Sequence, residues 1–142
     1  MSRRRLGREL ALRVLFADPD EAADGVAAVA HAAEEMAAGP AARRFAEELV
    51  AGVVRSRAEL DRRLAAASDN WALDQMGQVE RTILRMAAFE MGPGGTTPVG
   101  VAINEAVELA KAYAGGDAAR FINGVLGRLA LMTAGAPPGP PR

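Results

Sequence analysis

The densest group of side chains able to do chemistry is a cluster of arginines near the amino terminus. Residues 1–17 contain five arginines and one glutamate, a net charge of +4, whereas residues 18–42 contain six acidic residues and no arginine or lysine. Guanidinium groups bind phosphate through paired hydrogen bonds, and clustered cations attract nucleic acid. The arginine cluster consists of Arg3, Arg4, Arg5 and Arg8. We predict that it contacts nucleic acid, the alternative being a frayed terminus whose charges only keep the protein soluble.

Little in the rest of the sequence favours catalysis, metal binding or a cofactor. The chain has no cysteine, which excludes thiol catalysis, thiolate metal sites and redox switching. Its single histidine, His31, is followed by Glu34 and Glu35 in an alanine-rich segment, and a metal site would need further ligands from elsewhere. No glycine pattern follows a strand, as a phosphate-binding loop requires. We therefore predict no catalytic residues, no metal and no cofactor.

The elements that must position the arginine cluster are predicted to be helices. The 142 residues suit one compact domain with a tail, and the abundance of alanine favours an all-α fold. Helical periodicity and the glycine and proline breakers divide the chain into seven helices. We place these helices near residues 4–17, 21–38, 41–56, 58–67, 78–91, 98–114 and 117–133. Residues 1–135 are assigned to a helical domain and residues 136–142, rich in proline, to a disordered tail.

The distribution of apolar residues predicts no membrane association. No segment approaches the ~18–20 unbroken apolar residues of a membrane span. The arginine-rich start continues into an amphipathic segment that contains Glu9 and Arg13, unlike the apolar region of a secretory signal. We therefore expect a soluble, cytoplasmic protein.

The first helix has more apolar positions than one buried stripe needs. A sufficient core stripe is formed by Leu6, Leu10, Val14 and Ala17. Leu12 and Phe16 project on the opposite side, together with Arg5, Arg8 and Glu9. Apolar groups among arginines indicate a docking surface, and the alternative is that a neighbouring helix covers Phe16.

Helix 78–91 is predicted to be central and buried, because apolar residues surround most of it and leave a narrow polar sector at Arg81 and Arg85. Glu90 lies in the apolar sector near the carboxyl end, where the helix dipole disfavours a carboxylate, so it needs a cationic or hydrogen-bonding partner. Glu80 lies in the first turn, where the dipole suits it. Its charge is either a solvated helix end or a contact to a partner.

The last two predicted helices each show one apolar face. In helix 98–114 this face contains Val99, Ile103, Ala106, Val107 and Ala110. The residues predicted to point inward from the last helix are Phe121, Ile122, Val125, Leu129 and Met132. Gly124 and Gly127 each lower helix propensity by roughly 1 kcal/mol, so we expect another helix to pack closely against them.

Several runs of residues, in order and spacing, resemble the family of the bacterial transcription antitermination factor NusB. They cover most of the chain between residues 3 and 129. The early runs are Arg4-Arg5 with Arg8-Glu9, Phe45 with Leu49-Val50-Ala51-Gly52-Val53, and the region of Trp71. The later runs are residues 77–85 (GQVERTILR), 101–111 (VAINEAVELAK) and 121–126 (FINGVL). The last two are the most specific.

This resemblance implies a seven-helix RNA-binding protein in two small subdomains that is not an enzyme. Members of the family pair with the small-subunit ribosomal protein that also acts as NusE. The pair binds the single-stranded boxA element of nascent RNA and supports processive transcription of ribosomal RNA operons within the RNA polymerase antitermination complex. Carried onto this chain, the resemblance implies RNA contacts at Arg4, Arg5, Arg8, Asp117, Arg120 and Phe121. It implies contacts to the ribosomal protein at Phe16 and Glu80.

Three points stay open at this stage. Phe121 suits base stacking and core packing equally well, because its helical phase also fits the core. Some ribosomal RNA methyltransferases begin with a domain like NusB, so an RNA-targeting module of such an enzyme is the main alternative, although this chain stops before a catalytic domain could fit. A homodimer whose partner surface is occluded by the second copy is a further possibility.

Overall fold

The computed structural model describes residues 2–17, 25–69 and 75–133. These residues form six α-helices and no strand. The helices are α1 (Arg3–Ala17), α2 (Gly25–Glu35), α3 (Pro40–Ala67), α4 (Gln78–Met91), α5 (Val99–Tyr113) and α6 (Gly116–Thr133). The region of Trp71, the start of the second predicted helix and the proline-rich tail lie outside the described residues. In the part of the chain that the structure describes, no helix is long and apolar enough to cross a membrane.

The all-α fold class is confirmed, but the number of helices differs from the seven predicted. Helices were expected at 41–56 and 58–67, whereas α3 runs without a break through all 28 residues from Pro40 to Ala67. The physical reason is that residues 53–67 contain neither glycine nor proline, so nothing interrupts the backbone hydrogen bonds. The chain divides into two compact units, residues 1–57 and residues 58–142, and α3 contributes to both.

In the first unit, α1 is buried around more of its circumference than the sequence predicts. Leu12 was expected on an open face with Phe16 but is only 5% exposed, whereas Ala17, expected in the core, is exposed. Gly7 explains part of this burial. A Cβ atom built on Gly7 would lie 2.7 Å from Phe45 Cδ2 and 2.9 Å from the Ala42 carbonyl oxygen, so α1 and α3 make close contact at this glycine.

In the second unit, α4 is the central helix, as predicted, and contacts both α5 and α6. Residues 82–88 and Glu90 are buried. Arg85 belongs to this buried set, so the prediction of a polar sector at Arg85 is wrong. Its Nε donates to Asp61 Oδ1 at 2.7 Å and its Nη2 to Asp61 Oδ2 at 2.9 Å. A guanidinium with such a bidentate carboxylate partner can be buried at far lower cost than an unpaired one.

Glu90 has the hydrogen-bonding partner that the sequence requires, because the Thr97 hydroxyl donates to Glu90 Oε1 at 2.8 Å. The connector between α4 and α5 brings the two together by folding back tightly on the end of α4. A Cβ atom on Gly95 would lie only 2.2 Å from the Glu90 carbonyl oxygen, so only glycine fits there. Glu90 therefore serves the packing of this turn.

Helix α5 presents a different face to the core from the one predicted. The buried positions are Ala102, Ala106, Leu109 and Ala110. Val99 is 41% exposed, and Ile103 and Val107 are partly exposed. The helix is apolar over more than half of its circumference, and two stripes that share Ala106 and Ala110 fit the period equally well. The stripe with small alanines packs inward, which leaves the larger β-branched side chains at the surface.

Helix α6 is also partly different from the prediction. Ile122, Val125 and Leu129 point inward as expected, together with Leu126, but Met132 is 48% exposed. Apart from chain neighbours and the backbone of the same helix, no heavy atom of the described residues lies within 4 Å of a Cβ built on Gly124 or Gly127. The close helix contact predicted at these glycines is therefore absent from that part of the chain.

Candidate nucleic-acid interface

The first candidate site is the amino-terminal end of α1. Ser2 caps this helix, because its hydroxyl accepts a hydrogen bond from the Arg5 amide at 3.1 Å. The cap fixes Arg3, Arg4 and Arg5 in the first helical turn, which contains no acidic residue. Cations are unfavourable there, since the helix dipole places partial positive charge at the same end. The dipole and the guanidinium groups together attract anions.

Two members of the arginine cluster lie against one aromatic ring. The Arg4 guanidinium carbon is 5.4 Å from the centre of the Phe45 ring, and that of Arg8 is 5.1 Å from it. Both distances are within the range of a cation–π interaction. Arg4 and Arg5 are exposed, as a nucleic-acid patch requires, whereas Arg8 is only 3% exposed. The exposed part of the arginine cluster therefore consists of Arg3, Arg4 and Arg5.

The family resemblance implies that Phe16 and Glu80 bind the partner. Phe16 belongs to the first unit and Glu80 to the second, and their surroundings differ. Phe16 is 43% exposed at the end of α1, next to the exposed Ala17. Glu80 is half-buried in the first turn of α4, where its Oε1 atom lies 2.6 Å from the place that a Cβ atom on Gly77 would occupy. The Glu80 carboxylate thus folds back over Gly77, the cap residue that precedes α4, and the helix dipole favours a carboxylate there.

The second candidate site is at the start of α6. Arg120 Nη2 is 3.7 Å from Asp117 Oδ1, and both side chains are almost fully exposed. Phe121 is half-buried in the wall of a concave surface nearby. The lining residues are Ala67, Ser68, Asp69, Arg120, Phe121, Gly124, Val125 and Arg128. A half-buried ring can pack on one side and meet a ligand on the other, which suits both roles left open for Phe121.

Sequence reasoning missed the Asp69–Arg128 ion pair at this surface. Arg128 Nη1 donates to Asp69 Oδ2 at 2.5 Å, across 59 positions of sequence. Asp69 has a φ of 57°, in the left-handed region that aspartate tolerates better than most residues, directly after the end of α3. The turn after residue 67 was predictable from residue types, but the partner of Asp69 was not.

A groove between α5 and α6 was also missed. It is lined by Gly100, Ile103, Asn104, Val107, Lys111, Gly116, Ala119, Arg120 and Asn123. The groove exists because the partly exposed Ile103 and Val107 face outward. No signal in the sequence distinguishes this arrangement from the buried one. Over the described stretches, no group of three histidine, aspartate or glutamate side chains is arranged to hold a metal ion.

Comparison with known proteins places these features in one family. The NusB family model matches residues 5–131. The chain is 44% identical over 127 residues to the transcription antitermination protein NusB of Heliobacterium modesticaldum, which covers 89% of this chain and 62% of that protein. It is 41% identical over 131 residues to the protein of the same name from Geobacter sulfurreducens, covering 92% and 95%.

Solved structures agree with the sequence comparisons. NusB of T. maritima superposes with a TM-score of 0.79 at 27% identity, covering 92% of this chain and 91% of that one. A chain in a crystal structure of the antitermination factors NusB and NusE with double-stranded RNA gives a TM-score of 0.82 at 27% identity, covering 93% and 98%. Since the family model and these relatives span nearly all of the described helices, the chain belongs to the NusB family.

Proposed function

We propose that this chain is a transcription antitermination factor that binds single-stranded boxA-type RNA together with the ribosomal protein that acts as NusE. The observation that carries the proposal is the capped, exposed end of α1, where Arg3, Arg4 and Arg5 lie with no acidic residue in the same turn. Support also comes from the relatives, which are named antitermination proteins, and from the structural neighbour that contains NusE and RNA.

The two sites divide the work in this proposal. Arg4 and Arg5, with Arg8 behind them, supply attraction for phosphate that depends strongly on salt. Asp117, Arg120 and Phe121 contact unstacked bases further along the RNA, since base recognition in single strands uses stacking and hydrogen bonds to base edges. Phe16 and Glu80 contact the ribosomal protein. The assembly then joins RNA polymerase in the cytoplasm and supports transcription of ribosomal RNA operons, without any catalytic step by this chain.

The test is a binding titration with three purified components. A fluorescein-labelled single-stranded boxA-type RNA is titrated with this chain alone, with the ribosomal protein alone and with an equimolar mixture of both. We expect the mixture to bind most tightly, and with a marked loss of affinity as salt increases. A mixture that binds no better than the two separate proteins would contradict the proposal.

Gel filtration distinguishes a monomer with an accessible partner surface from the homodimer considered as an alternative. If the chain elutes as a monomer and shifts to a 1:1 complex when the ribosomal protein is added, the partner surface is accessible. A stable dimer that ignores the ribosomal protein would instead favour the form in which a second copy occludes that surface. The variant Phe16→Asp should reduce complex formation and lower the melting temperature less than substitution of a fully buried residue would, because Phe16 is 43% exposed.

A further inference from the structure

We infer that Phe45 is a positioning residue for RNA binding, which holds the guanidinium group of Arg4 over its ring, beside the buried Arg8, so that Arg4 is ready to meet a phosphate. This inference rests on the proposed function, and it adds a residue on α3 to a site otherwise built from α1. The Phe45 side chain has no charge and no hydrogen-bonding group, so its residue type does not indicate a role in binding RNA. Its role follows from the two ring distances of 5.4 Å and 5.1 Å.

The position of the ring is fixed by the contact between the two helices. Gly7 lies on α1 between Arg4 and Arg8, and a Cβ atom there would lie 2.7 Å from Phe45 Cδ2 and 3.2 Å from Phe45 Cβ. The Phe45 ring thus lies in space that a side chain at position 7 would need. Arg4 and Arg8 are four residues apart, so they lie on the same face of α1 as neighbours. The ring therefore sits where both side chains can reach it.

Contact with a ring leaves an arginine able to bind phosphate. A guanidinium group stacks on an aromatic ring through its flat face, whereas its N–H donors lie in its plane. Arg85 shows the opposite arrangement, because its Nε and Nη2 donors are both engaged by Asp61. An arginine held by a ring is fixed in place without its donors being used for that purpose, so Arg4 loses less conformational freedom when it binds phosphate.

The ring also makes two neighbouring cations tolerable. Like charges four residues apart on a helix destabilise each other, and Arg4 also lies in the first turn of α1, at the positive end of the helix dipole. The negative faces of the Phe45 ring offset part of this repulsion. A phosphate that binds at Arg4 offsets more of this repulsion.

A double-mutant cycle tests the inference. The RNA affinity of the chain with its ribosomal partner is measured for the parent, Phe45→Leu, Arg4→Ala and the double variant, and also for Phe45→Tyr. Two probes are used, the boxA-type RNA and polyuridylate of the same length. Because an exposed cation–π contact contributes about 0.5–1 kcal/mol, Phe45→Leu should weaken binding to both probes about two- to fivefold. Phe45→Tyr retains a ring and should bind like the parent.

The cycle separates positioning from a purely structural role. If Phe45 acts through Arg4, the effect of Phe45→Leu shrinks markedly once Arg4 is already alanine. If the ring only packs α1 against α3, Phe45→Leu weakens binding by the same factor in both backgrounds, and that result overturns the inference. Equal losses in Phe45→Leu and Phe45→Tyr would overturn it as well. The melting temperature of each variant is measured to confirm folding.

Failure of the inference can be told apart from failure of the proposed function. If the parent complex does not bind RNA, or if Arg4→Ala leaves binding unchanged, the proposed function of the arginine cluster is contradicted. If Arg4→Ala weakens binding and Phe45→Leu does not, only the role of Phe45 is overturned.

Discussion

The starts of α1 and α6 both carry arginines assigned to RNA, yet they are built in opposite ways. At the start of α1, three arginines follow one another with no acidic residue in the first turn. At the start of α6, Arg120 lies near Asp117, and Arg128 pairs with Asp69 on the same concave surface. The first region has a concentrated positive charge, and the second has a nearly neutral rim around a half-buried ring.

The two regions also differ in how closely other atoms approach their glycines. A Cβ atom on Gly7 would meet Phe45 and the Ala42 carbonyl, whereas one on Gly124 has no described atom within 4 Å outside its own helix backbone and chain neighbours. Over the described residues, the α1 site is therefore closed by packing at Gly7 and the α6 surface is open at Gly124. In the proposed function, phosphate attraction at α1 is therefore organised before RNA binds, whereas base recognition at α6 depends on what enters the concave surface.

The strongest way to break the comparison is Gly7→Ala. The added methyl group would overlap with Phe45 Cδ2 and with backbone at Ala42, and such overpacking typically destabilises by about 1–3 kcal/mol. We expect a lower melting temperature, measured by circular dichroism, together with weaker RNA binding. Gly127→Ala is a suitable control, because Gly127 also lies within a helix and no described atom outside its own helix backbone and chain neighbours lies within 4 Å of its Cβ position. Equal stability of Gly7→Ala and the parent would contradict the tight contact.

The double variant Arg4→Ala/Arg5→Ala should weaken RNA binding roughly tenfold at moderate salt and reduce the salt slope by about 1.4, since each phosphate contact on a single strand contributes about 0.7. Its matched counterpart is Arg120→Ala/Arg128→Ala. Because the acidic partners already offset those charges, the second pair should change the slope less. Equal slopes for the two pairs would remove the distinction between the regions.

Phe121→Leu should weaken binding of boxA-type RNA about fivefold, because base stacking on an aromatic ring contributes about 1–3 kcal/mol and leucine retains only part of it. The salt slope should stay the same, unlike that of the arginine variants. Anisotropy titrations at several salt concentrations give both quantities. A large fall in melting temperature without loss of affinity would assign Phe121 to packing alone.

The smallest effect is expected for Gly124→Ala, which should raise the free energy of unfolding by about 0.5–1 kcal/mol through helix propensity. The open surroundings leave room for the methyl group. If RNA or the ribosomal protein enters that space, the same variant binds less well although it is more stable. Urea unfolding and RNA titration together reveal these opposite signs.

The sequence predicted what depends on local patterns. The all-α class, the central position of α4 and the need of Glu90 for a partner follow from composition and helical period, and the structure agrees with each. The pattern left open whether a neighbouring helix covers Phe16, which is 43% exposed in the structure. The family resemblance is confirmed as well, because the NusB family model matches residues 5–131.

What could not be predicted depends on contacts between distant residues. A charged residue such as Arg85 is expected at the surface. Its burial could not be predicted, because the carboxylate that pairs with it belongs to Asp61, 24 positions earlier. Leu12 and Arg8 are buried by neighbours that no pattern within α1 reveals. Two apolar stripes compete on α5, and only tertiary packing decides which one is covered. The contact between the Phe45 ring and the arginines could not be predicted either, because it depends on the close approach of α1 to α3 at Gly7.

The bidentate pair between Arg85 and Asp61 has an evolutionary consequence. The Arg85 side chain is 8% exposed and the Asp61 side chain 30%. Loss of Asp61 therefore strands a buried cation, which costs more than loss of Arg85, because that leaves a carboxylate that water can reach. Lineages that replace one of the two residues should therefore replace the other in step, so that sequence alignments show covariation between these columns. Exchange to two apolar side chains of matching volume is the other route that protein physics leaves open.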